Sequence, residues 1–152
     1  MYPIRLITIG RIKLEACAQL ETHYKDMLKT YCRLDHREIP EGRGDPARQL
    51  REEALRLRPL LLEARCPVLL DAQGSPRSSE AWAQWLGQRM DRGESLAFAV
   101  GSSHGFDPAL KADIPERLSL SPMTFPHDLS RVLFLEQLYR AFTILQGKTY
   151  HK

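Results

Sequence analysis

The sequence predicts a single α/β domain over residues 1–152, a mostly parallel sheet with helices on both faces. Three observations carry this. Short apolar runs alternate with stretches of helical periodicity five times along the chain. The runs Val68-Leu69-Leu70 and Leu96-Ala97-Phe98-Ala99-Val100 are apolar throughout, as in strands covered on both faces. No repeat, low-complexity tract or long linker divides the chain, so the strands and helices belong to one layered unit.

The elements follow in order. Residues 4 to 10 read as a strand closed by Gly10. From Leu14 to about Thr30, Leu14, Cys17, Leu20, Tyr24, Met27, Leu28 and Tyr31 recur at steps of three and four, an amphipathic helix. Residues 32 to 39 alternate and suit a partly exposed strand. Asp45-Pro46 is a helix start, with Asp as N-cap and Pro at the first helical position. Leu50, Ala54, Leu57 and Leu61 mark that helix's face, which Pro59 would kink or end early. A strand at Val68–Asp71 is followed by a helix capped by Ser78 or Ser79 and carrying Trp82, Trp85, Leu86 and Met90. Another strand spans Leu96–Gly101, Asp107-Pro108 starts a short helix, and Leu118–Leu120 is a fifth strand. The last helix runs from about Asp128 to Leu145.

That last helix is unusually apolar. Val132, Leu135, Tyr139 and Phe142 form one stripe, and Phe134, Leu138, Ala141 and Leu145 form another. A sheet face needs one stripe, so the second suggests a subunit interface or a helix central to its own domain. Arg131 and Arg140, placed among these residues, need a carboxylate such as Glu136 or an anionic ligand.

Composition bounds the function classes. A chain of 152 residues with 43% hydrophobic and 27% charged residues is neither disordered nor fibrous. It contains no apolar run of membrane-spanning length, and its N-terminus does not read as a secretory signal. A cytoplasmic protein with no membrane partner is expected. The net charge of +3 is mild, but 16 of the 22 cations are Arg, which suits phosphate contacts and stacking. Cys17, Cys32 and Cys66 are odd in number and far apart, as buried thiols of a reducing compartment would be. The five His lack metal-ligand spacing, and no metal is expected.

In an open α/β sheet the ligand sits at the loops after the strands. Three candidates follow the buried strands: Asp71–Pro76, Gly101–Gly105 and Ser121–Pro126. Neither G-x-G-x-x-G nor the P-loop pattern occurs, which argues against a dinucleotide or P-loop enzyme. Gly101-Ser102-Ser103-His104-Gly105 does satisfy the G-x-S-x-G elbow of serine hydrolases, with Ser103 as nucleophile. The short domain and the missing H-G-G-G segment weigh against that reading. His127 falls in the first turn of the last helix, where a structural role competes with a chemical one. Tyr150-His151-Lys152 reads as a frayed end or as an aromatic, imidazole and cation set for a nucleotide.

Leu118-Ser-Leu-Ser-Pro-Met-Thr-Phe-Pro-His127, Arg131, Glu136-Gln137-Leu-Tyr139-Arg140-Ala141 and Tyr150-His151-Lys152 resemble the RlmH-type methyltransferases, as do Leu69-Leu70-Asp71, Gly74, Ser79-Glu80 and Val100–Gly105. The resemblance spans the chain and is strongest from Pro67 onward. It implies a SPOUT-class fold with a C-terminal trefoil knot, acting as a homodimer through the last helix. It also implies transfer of a methyl group from S-adenosylmethionine to N3 of a pseudouridine in 23S ribosomal RNA, on the assembled ribosome. Cofactor contacts then map to Leu70, Gly101, Leu120, Ser121, Pro122, Met123, Thr124 and Phe125. The resemblance places His127 and His151 as candidates for proton acceptor or substrate positioning. Arg140, Tyr150, His151 and Lys152 would hold RNA. One departure stands out: Ser102 occupies the place of the family's second glycine, where a side chain narrows the pocket or demands ordinary φ. That departure also leaves open a ribosome-binding factor without turnover.

Overall fold

Five strands and five helices alternate from Tyr2 to Leu145 in the computed structural model, which describes residues 1–151. They are β1 (Tyr2–Ile9), α1 (Glu15–Leu28), β2 (Cys32–Ile39), α2 (Pro46–Leu62) and β3 (Cys66–Pro76). Then come α3 (Ser79–Asp91), β4 (Leu96–Val100), α4 (Pro108–Asp113), β5 (Arg117–Ser119) and α5 (His127–Leu145). The strands form one sheet in the order β2-β1-β4-β3-β5, and every pair is parallel. The α/β class and the mostly parallel sheet read from the sequence are therefore what the chain adopts.

Side-chain alternation along the strands builds two cores. Ile4, Leu6, Leu96, Phe98 and Val100 face one side with Leu28 of α1, Trp82 and Leu86 of α3, and Phe134 and Leu138 of α5. Ile7, Ile9, Ala97 and Ala99 face the other with Ala54, Leu57 and Leu61 of α2 and Leu110 of α4. Phe98 anchors the first core, in contact with Trp82 and with Phe134 at 4.9 Å between ring centroids. Cys17, Cys32 and Cys66 are free and buried, and burial pushes the Cys32 thiol up to about 12.

Three readings change. Pro59 does not end α2, which continues to Leu62. Pro59 and Leu55, whose carbonyl would have met the missing N–H, are both exposed, so the lost bond falls on the solvent side. Strand β3 does not stop at Asp71. It loops out after Leu70 and pairs again with β5 from Ser75, so the pairing register shifts. Gly74 makes this possible, because a Cβ there would lie 2.7 Å from the Arg117 carbonyl oxygen.

The third change concerns α5. It is packed between α1 and α3. Val132, Phe134, Leu135, Leu138, Ala141 and Phe142 are all buried within the one chain. Of the second apolar stripe, Phe134, Leu138 and Ala141 are thus covered by the protein's own helices, as in a helix central to its own domain, while Leu145 stays 43% exposed. No helix among the described residues is long and apolar enough to cross a membrane.

Candidate cofactor and substrate site

A parallel sheet delivers all its strand-to-helix loops to one edge. Here the loops after β3, β4 and β5 enclose a cavity of about 350 Å³. That volume lies within the range of sites for cofactor-sized ligands. Leu70, Gly101, Leu120, Ser121, Met123, Thr124 and Phe125 all line it, so the structure brings these candidates together. Pro122 sits in the same loop but is exposed and outside the lining.

Each wall has a local cause. The bulge in β3 turns Asp71, Ala72 and Gln73 toward the cavity, and Ser119 Oγ donates to the Ala72 carbonyl at 3.0 Å to pin it. Asp71 Oδ1 accepts from the Gln73 N–H at 3.0 Å, while Oδ2 lies 3.0 Å from Lys111 Nζ. The second wall is a tight turn in which the Gly105 N–H donates to the Ser102 carbonyl at 2.9 Å. Gly105 takes φ +79°, and a Cβ on Gly101 would meet the Gly105 carbonyl oxygen at 2.8 Å. No residue other than glycine has positive φ among the described residues. Ser102 therefore adopts ordinary backbone, and its hydroxyl is buried without a hydrogen-bond partner. In the third wall Ser121 Oγ accepts from the Met123 N–H at 3.0 Å, which leaves the Met123 side chain 74% exposed.

Ser103 is not a nucleophile elbow. It is exposed in the turn, carries no strained φ and makes no hydrogen bond to a histidine. The G-x-S-x-G match reflects two glycines required by the turn, and the hydrolase reading is set aside.

His127 lines the cavity from the first turn of α5. Its Nδ1 is 3.6 Å from Asp128 Oδ1, and its Nε2 is buried with no hydrogen-bond partner. Burial and then the Arg131 charge push its pKa below the usual imidazole value, against the opposing pull of Asp128. Asp128 has a second task that sequence reading missed. Its Oδ2 accepts from the backbone N–H groups of Lys13 and Leu14, each at 2.8 Å, so a residue from the far end of the chain caps α1. One turn on, Arg131 is fully buried. Its Nε and Nη2 donate to the two carboxylate oxygens of Glu21 at 2.9 and 3.1 Å, and Nη1 donates to the Gly10 carbonyl at 3.2 Å. An arginine on an otherwise apolar helix was the available signal, but Glu21 and not Glu136 is its partner.

The other end of α5 holds a separate cluster. Arg140 donates to Glu136 Oε1 through Nε at 3.0 Å and stacks 5.0 Å from the Tyr150 ring centroid. His151 Nδ1 lies 3.2 Å from Arg140 Nη1, and its Nε2 lies 2.7 Å from Glu80 Oε1. His127 and Arg140 are thirteen residues apart on one helix, or about 20 Å at 1.5 Å per residue. The structure does not bring His127 and His151 into one site within a single chain. Lys152 lies outside the described residues. No group of three His, Cys, Asp or Glu that could hold a metal ion occurs among them.

Comparison with known proteins agrees with this layout. A family described as "Predicted SPOUT methyltransferase" matches residues 2–151. A protein of Caldicellulosiruptor saccharolyticus is 34% identical over 98% of this chain and 99% of its own length. One from Anaeromyxobacter dehalogenans is 38% identical over 98% and 99%, and one from Gloeobacter violaceus is 39% identical over 97% of each. All three are named "Ribosomal RNA large subunit methyltransferase H". With a five-stranded parallel sheet, a loop-built cavity at its edge and a match across nearly its whole length, the chain belongs to the SPOUT methyltransferase family.

Proposed function

We propose that this chain is an S-adenosylmethionine-dependent methyltransferase that acts on N3 of a pseudouridine in 23S ribosomal RNA, on the assembled ribosome in the cytoplasm. One observation carries the reading: the seven loop residues named above converge on one cavity at the switch edge of a SPOUT-family sheet. The full-length relatives named as large-subunit ribosomal RNA methyltransferases support the substrate class. The proposal includes one SPOUT domain over residues 1–152 with the C-terminal knot of that class.

The residues present fit the cofactor. The cavity offers a glycine wall at Gly101, polar groups at Gln73 and Ser121, and apolar surface at Leu70, Leu120 and Phe125. S-adenosylmethionine, when bound, supplies a methyl group already activated on its sulfonium. The protein's own tasks are alignment of the acceptor and removal of its N3 proton. His127 suits the second task, because burial keeps the imidazole neutral and Nε2 has no other partner. Asp128 next to it orients the ring, and the Arg131–Glu21 pair fixes the helix that carries both. His151 is engaged by Glu80 and Arg140, so in this reading it positions substrate rather than taking the proton.

The homodimer belongs to the same proposal on new ground. Arg140 is about 20 Å along α5 from His127, with Tyr150 and His151 packed beside it, so a second copy is the simplest way to place both ends of α5 at one RNA. Sedimentation of the purified protein as a monomer at micromolar concentration would remove this part. For the reaction itself, ribosomal RNA from cells lacking the gene should lose one methyl group on a pseudouridine, read by mass spectrometry. An unchanged methylation pattern would overturn the substrate assignment.

A further inference from the structure

Glu53 is the most anomalous charged residue in the fold. It lies on the inner face of α2 with Ala54, Leu57 and Leu61, and is 1% exposed. Both carboxylate oxygens are buried, and neither has a hydrogen-bond partner among the described residues. No Lys or Arg among the described residues pairs with it. Its polar neighbours are the Ser102 hydroxyl, from the turn after β4, and Gln49, one turn back on its own helix. The charged or titratable groups around it are Glu41, from the loop before α2, and His104, from the same turn as Ser102. Burial dominates these influences and holds the Glu53 carboxyl above the usual carboxylate range.

Ser102 faces the same deficit from the other side, with a buried hydroxyl that has no partner. It also lines the cavity. Two unsatisfied polar groups, one behind the cavity wall and one within it, are thus neighbours across the α2–β4 interface. A buried, unpaired carboxyl is costly, and a neutral side chain of the same shape would fill the space more stably. Such a group is what a site under functional constraint retains.

We propose that Glu53 is a positioning residue for the methyl-donor pocket: its buried carboxyl closes on Ser102 and fixes the Gly101–Gly105 turn against which the donor packs. This rests on the proposed function for the identity of the donor, but not for the pairing itself. In the neutral form the carboxyl donates to Ser102 Oγ, and the turn is held. When ionised it instead accepts from the Ser102 hydroxyl, a pairing that favours the charged form while burial and Glu41 oppose it, so the turn is held in either state. The serine at position 102 is then a working part of this chain's pocket, since a glycine there would leave Glu53 nothing to hold.

The test uses the full chain with Glu53→Leu, which fills the space without a hydrogen-bonding group, Glu53→Gln, which keeps one, and Ser102→Ala. Two readouts are taken at a single pH: calorimetric affinity for S-adenosylmethionine, and amide exchange of the segment 101–106 relative to its intrinsic rate. Glu53→Leu should lower affinity about tenfold and raise exchange in the turn without loss of global stability. Glu53→Gln should stay near wild type, and Ser102→Ala should raise exchange as Glu53→Leu does. Wild-type affinity and exchange in Glu53→Leu would overturn the proposal. Failure of wild type to bind the donor would instead overturn the proposed function, with the exchange rates still deciding the role of Glu53.

Discussion

Arg131 and Glu21 form a two-pronged ion pair with no access to solvent at the guanidinium, joining α5 to α1 across 110 residues of chain. Glu38 adds a second carboxylate at 3.3 Å from Nη1. Burial alone would raise the Glu21 carboxyl, yet hydrogen bonds from Lys25 and Arg131 hold it below its usual range. The pair therefore does more than fill space: it fixes where the first turn of α5, with His127 and Asp128, meets the cavity.

Arg131→Met should destabilise the fold by up to about 3–5 kcal/mol, because the buried Glu21 charge then keeps only Lys25 among the described residues as a cationic partner. The double variant Arg131→Met/Glu21→Leu should recover much of that loss. Urea denaturation of the single and double variants checks both. Equal stabilities for Arg131→Met and wild type would show that the pair contributes nothing net.

His36 sets a pH limit on the same network. Its Nε2 is 2.8 Å from Thr8 Oγ1, and Lys25 Nζ faces Nδ1. Burial, and then the Lys25 charge, depress its pKa to about 4. A depressed histidine favours the folded state while neutral, so its stabilisation is complete above the unfolded value of about 6.5 and is lost as pH falls toward 4. Between pH 7 and pH 5 wild type should lose on the order of 1–2 kcal/mol that His36→Gln does not. Thermal melts at the two pH values measure the difference, and identical shifts would refute it.

His127→Gln tests the proton acceptor. Methyl transfer to ribosomes should fall about 10²–10⁴-fold while affinity for S-adenosylmethionine changes little. In wild type the rate should rise with pH, with its midpoint below the ordinary imidazole value of about 6.5, since burial depresses the imidazole. A His127→Gln enzyme with an unchanged rate would move the role elsewhere.

Gly101→Ala separates pocket shape from fold. The added methyl would lie 2.8 Å from the Gly105 carbonyl oxygen and 3.1 Å from the Phe106 ring, so the turn must shift. We expect donor affinity to drop tenfold or more, roughly 1.4 kcal/mol. Gly93→Ala serves as the control, where nothing lies within 4 Å of the new methyl but φ is +65°. It should lower stability without altering donor affinity. Retained affinity in Gly101→Ala would argue that the donor does not pack on this wall.

The elements were legible because their signals are local. Asp45 accepts from the Arg48 N–H and Ser78 from the Ala81 N–H, as their positions before helical stretches suggest. The pocket loops were legible because a parallel sheet places all such loops on one edge. The pairing of Asp128 with Lys13 and Leu14 was not legible, since a cap supplied from 114 residues away leaves no pattern in either segment. Glu53 was overlooked for a related reason. In the sequence it is one more acid on a helix of alternating charge, and only the closing of α2 over Ala97 and Ala99 removes it from water.

Periodicity, turn residues and the C-terminal motif thus determine by themselves the class of fold, the order of its elements and the family resemblance. Tertiary structure decided which polar groups lost their solvent, and with them the chemistry. Arg131, His127, Glu53 and Ser102 differ from their exposed counterparts only in what packs around them. Burial turns an ordinary arginine into a fixed anchor, lowers the pKa of a histidine and leaves an acid and a serine short of partners. The physical reason is that ionisation and hydrogen bonding respond to the surrounding dielectric and to available partners, and long-range packing sets both.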